Sequence, residues 1–198
     1  MRVLVACEYS GVVSQAFRDR GHQAISCDIL ENELTGRQFH YTGDVLDILD
    51  RGWDLMIAHP PCTDLAVSGA KHFAQKIADG RQQRALEFVQ ILMDAPIDRI
   101  CIENPVSVIS SKIRKPDQII QPWMFGHEAT KTTCLWLKNL PPLVPTNVVD
   151  KGARHITKSG KSLPEWYNLP PSKDRWKIRS KTFQGIADAM AEQWGNIK

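Results

Sequence analysis

Apolar and polar positions follow two rhythms along this chain. Short, almost uninterrupted apolar runs fall at Arg2–Cys7, Gln23–Cys27, Asp54–Ala58 and Arg99–Ile102, each closed by polar or turn-forming residues. Runs of this length, rich in Val and Ile, predict strands buried on both faces. His40–Thr42 predicts a further short strand ending at Gly43-Asp44. Between the runs the apolar spacing lengthens to three and four, which predicts helices at Val12–Arg20 (stopped by Gly21), Val45–Asp50, Arg81–Asp94 and Gln184–Trp194. Thr132–Leu137 and the run around Leu143-Val144, joined by Asn139–Pro142, predict a terminal antiparallel hairpin. Strands alternating with helices predict an α/β, Rossmann-like fold of three layers: a mostly parallel sheet with helices on both faces, the hairpin at its edge.

In such sheets ligands bind outside the carboxyl ends of the strands. The polar residues that follow the predicted strands are Glu8, Asp28, Asp44, the tetrad His59-Pro60-Pro61-Cys62, and Glu103. The first turn, Cys7-Glu8-Tyr9-Ser10-Gly11, has one glycine where a dinucleotide fingerprint has three, and it places a carboxylate where a phosphate needs a donor. A ligand with an amine and no phosphate suits it better, and S-adenosylmethionine is one; a plain exposed turn acid accounts for Glu8 equally well. Asp28 stands where an acid commonly takes ribose hydroxyls, and Asp44 where one can accept from an adenine amine. Singly, each is more often a cap or turn residue; together at adjacent strand ends they predict a cofactor mouth.

Composition narrows the classes. The chain of 198 residues suits one compact domain over residues 1–198, with the apolar (42%) and charged (24%) content of an ordinary globular protein. No apolar run approaches the roughly 18 residues of a membrane span, and the polar Cys7-Glu8 comes too early for a secretory segment, so a cytoplasmic protein is expected. Five widely spaced cysteines with no C-x-x-C pair predict neither a disulfide framework nor a metal site. Net charge is +3, but residues 151–181 hold nine Lys/Arg against two Asp/Glu, leaving −4 for the rest. That asymmetry predicts either a polyanion-holding segment or a solvated basic loop.

Four cysteines sit within or at the ends of apolar runs, where a thiol is a small hydrophobe. Cys62 instead follows two prolines that fix the backbone at the sheet edge. A thiolate there is a candidate nucleophile, and Glu103, after the next strand, can protonate or hydrogen-bond the ring it attacks. His59 and Cys62 have a metal-like spacing without a second pair to complete four ligands, and a Cys–His hydrolase needs a positioned imidazole that no motif supplies.

These motifs resemble the DNA cytosine-5 methyltransferase family in its short phage and prophage form. The resemblance runs through VLVACEYSGVV, RGHQAISCDI, GDVLDIL, GWDLMIAHPPCTDLA, RICIENP, IIQPWMFGHEATKTTCLWLKNLPPLVPTNVV and SKTFQGIADAMAEQWG, nearly the whole chain. It implies that Cys62 attacks carbon 6 of cytosine, that Glu103 engages ring nitrogen 3, and that S-adenosylmethionine is held by Glu8, Tyr9, Ser10, Gly11, Asp28, Asp44 and the backbone of Pro60. It implies DNA as partner, in a bacterial or phage-infected cell, with no membrane and no metal.

Three features depart from that family. The glycine-rich turn is reduced to Ser10-Gly11, the arginine motif reads Thr130-Lys131-Thr132-Thr133, and no separate target-recognition domain fits between the predicted hairpin and the last helix. The basic segment can substitute in part: Lys131 with Lys173, Arg175, Lys177, Arg179 and Lys181 would neutralise phosphates, and Trp166, Tyr167 and Trp176 would stack on a base or merely pack. Methylation of an exocyclic amine, methylation of a free pyrimidine nucleotide, and a DNA- or cofactor-binding protein without turnover remain the alternatives. Cys62 stands where amine methyltransferases carry a stacking aromatic after their Asn-Pro-Pro, which argues against the first.

Overall fold

The computed structural model describes residues 1–34 and 37–197, with only the backbone of Arg37. Its centre is a seven-stranded sheet. β1 (Arg2–Ala6) lies between β2 (Gln23–Asp28) and β4 (Leu55–Ala58), both parallel to it. β3 (His40–Thr42) extends the β2 edge, and β5 (Arg99–Pro105) pairs in parallel with β4. β6 (Gln118–Ile120) and β7 (Thr133–Lys138) complete the order β3-β2-β1-β4-β5-β7-β6, with β7 antiparallel to both its neighbours.

The strands alternate as a doubly covered sheet requires. Val3, Val5, Leu55, Ile57, Cys101 and Leu135 face one layer; there they pack on α1 (Val12–Asp19) and α6 (Gln184–Gly195) through Val13, Phe17, Ile186, Met190 and Trp194. Leu4, Met56, Ile100, Ile102, Cys134 and Trp136 face the other, where α3 (Arg81–Met93) contributes Val89 and Leu92. Each such side chain fully removed from water stabilises the fold by about 1.5–3 kcal/mol. Short helices α2 (Phe73–Ala78) and α4 (Ile109–Lys112) flank α3 and follow β5. Residues 151–181 form a separate ribbon of β8 (Arg154–Ile156) and β9 (Ser162–Pro164), then α5 (Arg175–Ser180).

The expected three-layer α/β fold is therefore present, with three corrections. β7 pairs with the upstream β6, not with Leu143-Val144. Pro141, Pro142 and Pro145 remove ladder donors from that downstream run, and Leu143 is instead buried in the core, its N–H donating to Gln118 Oε1 at 2.7 Å. The helix expected at Val45–Asp50 is one 3-10 turn, Val45–Asp47, capped by Asp44. β5 continues to Pro105, so Glu103 and Asn104 lie within the strand, opposite Leu135 and Cys134 of β7.

Candidate active site

Cys62 sits in the loop that leaves β4, and the loop is fastened from several sides. Asn104 Nδ2 donates to the Pro60 carbonyl at 2.9 Å, so a β5 side chain holds the proline pair in place. The N–H groups of Leu65 and Ala66 donate back to the Cys62 carbonyl at 3.1 and 2.8 Å. From α2, Lys76 Nζ donates to the Thr63 carbonyl and lies 3.3 Å from Asp64. From α3, Gln82 Nε2 reaches the Asp64 carbonyl at 3.3 Å. Lys76 is buried, so its charge is spent on shaping this loop.

The loop presents Cys62 on the rim of the sheet mouth, whereas Cys27, Cys101 and Cys134 are buried. Crowding around the Cys62 thiol, and next the Glu103 carboxylate, push it above its ordinary value; Lys131 and Arg179 are among the groups that pull it down. Glu103 accepts from His59 Nδ1 at 2.9 Å, both side chains lying mostly out of solvent, 15% and 11% exposed. Burial alone would raise the Glu103 carboxyl, but the hydrogen bond and charge of His59 and the charge of Lys131 outweigh it and leave the group below its ordinary value. Lys131 was expected to touch nucleic acid; desolvation lowers it, and its Nζ lies over the rings of Trp166 at 5.6 Å and Phe183 at 5.9 Å, donating to the Lys181 carbonyl at 3.4 Å. Thiol, carboxylate, imidazole and ammonium thus meet at the carboxyl ends of β4 and β5.

The expected cofactor residues divide into two groups. Glu8 is buried, and its carboxylate accepts from the N–H groups of Val13 at 2.6 Å and Ser14 at 3.2 Å, with Ser10 Oγ at 3.5 Å. It caps α1 from within, an anion at a helix N-terminus, with both oxygens engaged. Tyr9 is likewise occupied: its hydroxyl donates to the Lys177 carbonyl at 2.8 Å and lies 2.9 Å from Ser180 Oγ. Gly11 takes φ +71°, and a Cβ there would meet the Asn32 amide at 2.9 Å, so the turn needs glycine. The Pro60 carbonyl is taken by Asn104.

Asp28 and Asp44 form the second group. Asp28 accepts from the Leu30 N–H at 2.9 Å; burial raises its carboxyl, against the pull of that N–H and of His40 and His59. Asp44 is exposed and accepts from the Leu46 N–H at 3.0 Å. Both add to the burial that drives the Cys7 thiol far up, so the two carboxylates share the space beyond the end of β1. Cys7 itself holds φ 58°, an uncommon conformation for a residue with a Cβ. Two carboxylates at adjoining strand ends fit a ligand that carries hydroxyls or amines and positive charge.

The basic segment folds back over this mouth. Lys181 Nζ lies 2.6 Å from Glu33 and Lys177 Nζ 3.9 Å from it. Arg175 donates to the Tyr167 carbonyl at 3.2 Å, Arg179 lies over the Tyr167 ring at 6.0 Å, and Lys173 is exposed just before α5. Trp166 packs on Phe183 with centroids 5.0 Å apart, while Trp176 is 50% exposed and meets Tyr9 at 5.6 Å. The basic charges therefore gather beside the thiol and over the end of β1.

The sequence reading missed His59 as a partner of Glu103, a pairing between residues 44 apart that only the adjacency of β4 and β5 creates. It also missed Lys76 and Glu33, which nothing in the sequence ties to the site.

No protein-family model matches the sequence, and no curated protein matches it. Among solved structures, the chain resembles a prophage-encoded E. coli protein proposed to be a DNA modification methyltransferase. The two share 15% identity and a TM-score of 0.52 over 77% of this chain and 53% of that one. This chain spans about half the length of that protein, and the likeness extends to the fold alone, a mostly parallel seven-stranded α/β sheet. Among the described residues no helix is long and apolar enough to cross a membrane.

Proposed function

We propose that this protein is an S-adenosylmethionine-dependent DNA methyltransferase that acts on carbon 5 of cytosine through Cys62. The observation that carries the reading is the convergence of an exposed Cys62, the His59-bound Glu103 and Lys131 at the mouth of a methyltransferase-like sheet.

When bound, the cofactor supplies an electron-poor methyl group on a sulfonium sulfur. Asp28 and Asp44 are the residues placed to take its hydroxyls and amines, while Glu8 and Gly11 hold the turn in shape and Tyr9 ties down the segment above it. A cytosine turned out of its stack enters beside the Cys62 loop. Glu103 takes up one proton from solvent as the base binds and shares it with ring nitrogen 3, drawing electrons from carbon 6. The Cys62 thiolate then bonds to carbon 6 and the double-bond pair moves to carbon 5, which accepts the methyl group. A base from solvent takes the carbon-5 proton, the pair of that C–H bond restores the double bond as the Cys62 sulfur leaves as thiolate, and the shared proton returns from ring nitrogen 3 to Glu103. Lys131 and Arg179 favour the thiolate needed for the first bond. Arg179, Lys177, Arg175, Lys181 and Lys173, on the segment that folds over the mouth, would neutralise phosphates flanking such a base.

DNA containing 5-fluorocytosine tests this directly, because fluorine cannot leave carbon 5 as a cation and the adduct persists. A covalent complex that needs both cofactor and Cys62 is expected. Methylated adenine or an exocyclic methylamine among the product nucleosides, without any adduct, would overturn the reading.

A further inference from the structure

The pairing of His59 with Glu103 has no counterpart in the sequence argument, and its details exceed what packing needs. An ionised carboxylate only accepts, so Nδ1 of His59 carries the hydrogen that meets Oε2. His59 Nε2 is then left buried without a hydrogen-bond partner. Asn104 Oδ1 and Ser107 Oγ are in the same state, all three on the elements that frame the Cys62 loop. Buried side-chain atoms without a partner are uncommon, and the first of these leaves His59 a ring nitrogen with nothing to bind beside Glu103.

We infer that His59 is a positioning residue: by holding Oε2 it fixes the Glu103 carboxylate so that Oε1 is the oxygen offered to the substrate base, an inference that rests on the cytosine reading above. The sheet makes this possible because β4 and β5 are parallel neighbours in which Ala58 pairs with Ile102, so the next residues, His59 beyond β4 and Glu103 still within β5, come side by side. A carboxylate held at one oxygen loses its freedom to rotate and meets the base with a single orientation, which is what a proton shared with a ring nitrogen requires. The groups around the pair are Cys62, Lys131, Cys101 and Cys134 near Glu103, with Asp28 near His59. Only Lys131 and His59 among them oppose the burial of the Glu103 charge. Removing His59 leaves Lys131 alone to do so.

The test is a carboxyl carbon-13 titration of the full chain with labelled glutamate, the Glu103 resonance being assigned by its loss in Glu103→Gln. The wild-type midpoint is expected below that of ordinary glutamates, and His59→Ala should move it up. His59→Asn, whose side-chain amide can donate to Oε2 from a similar place, should fall between the two and remains informative where the alanine variant fails to fold. In methylation assays kcat should drop about 10–100-fold in His59→Ala and largely recover in His59→Asn, with KM for the cofactor within about twofold. An unchanged Glu103 midpoint in both variants overturns the inference, whatever the activity does, and so does an alanine variant as active as the wild type. Should Glu103 move as expected while the wild type methylates no cytosine, the pair stands and the cytosine reading is what fails.

Discussion

The Cys62 loop and the basic segment face each other across one mouth, yet they are built on opposite plans. The loop is held from behind by Asn104 and Gln82, on β5 and α3, whose apolar faces belong to the cores, and by the buried Lys76 on α2. Residues 151–181 contribute nothing to either core. They are attached by a few polar and ring contacts: Tyr9 with Lys177 and Ser180, Glu33 with Lys181, Lys131 with Trp166, and Trp166 with Phe183. A nucleophile must be placed to a fraction of an ångström, which only a packed sheet supplies, whereas a phosphate-binding surface works with charge at longer range and tolerates loose attachment. The contrast predicts that the loop governs chemistry and the segment governs affinity.

The largest effect that could break this division comes from the loop. Cys62→Ala should abolish methylation and 5-fluorocytosine trapping, a loss of at least about 1,000-fold, while calorimetric affinity for the cofactor stays within about twofold. An active alanine variant would end the comparison, since the thiol would then be another exposed side chain.

Next is the segment itself. Neutralising Lys173, Arg175, Lys177 and Arg179 together should weaken DNA binding and flatten the plot of log affinity against log salt by up to about 3–4 units, because about 0.9 counterion is released per phosphate contact. An unaltered slope would show that these cations are simply solvated.

Tyr9→Phe sharpens the question of how the segment is held. It removes a hydroxyl bonded to Lys177 and Ser180, worth about 0.5–1.5 kcal/mol per bond, so limited proteolysis within residues 151–181 should speed up on the order of tenfold. Global melting should hardly move, because no core contact is lost. A large fall in melting temperature would instead make the segment part of the core.

The smallest effect concerns Asp28, whose charge the mouth keeps at a cost to the fold. Its folded value is raised by burial, so between that value and the ordinary carboxylate value the native state binds more protons than the unfolded chain, and stability rises as pH falls through that window. Asp28→Asn should therefore melt a few degrees higher at pH 7–8, where about 1 kcal/mol corresponds to about 2–4 °C. That advantage should vanish once the pH is below the ordinary value, and cofactor affinity should fall throughout. Equal melting at pH 8 would mean that the Leu30 N–H already compensates the charge.

How far the sequence carried this picture is visible in particular residues. Val3-Leu4-Val5 and Met56-Ile57 announce strands because a doubly covered sheet leaves no room for polar alternation, and Pro60-Pro61 announce that Cys62 leaves the ladder. The strand-end acids were legible for the same reason: where an apolar run stops, the chain has reached the edge of the sheet. What each acid does there was not. Glu8 and Asp28 look alike in sequence, but Glu8 turns onto the N–H groups of α1 while Asp28 stays at the mouth, and only the path of the turn separates them.

Local pattern by itself therefore determined β1 to β5, β7, α1, α3 and α6 in their order, since burial periodicity and backbone stereochemistry act over a few neighbours, while the short β6, β8, β9, α2, α4 and α5 left no such signal. Tertiary structure decided the pairings: His59 with Glu103, Lys76 with the Cys62 loop, β6 rather than Leu143-Val144 beside β7, and the basic segment over Tyr9 and Glu33. Each joins residues apart in the chain, the side chains through charge or one or two hydrogen bonds and β6 through its ladder with β7. Such contacts leave no period in the sequence, and they form only once the sheet has brought the strand ends together.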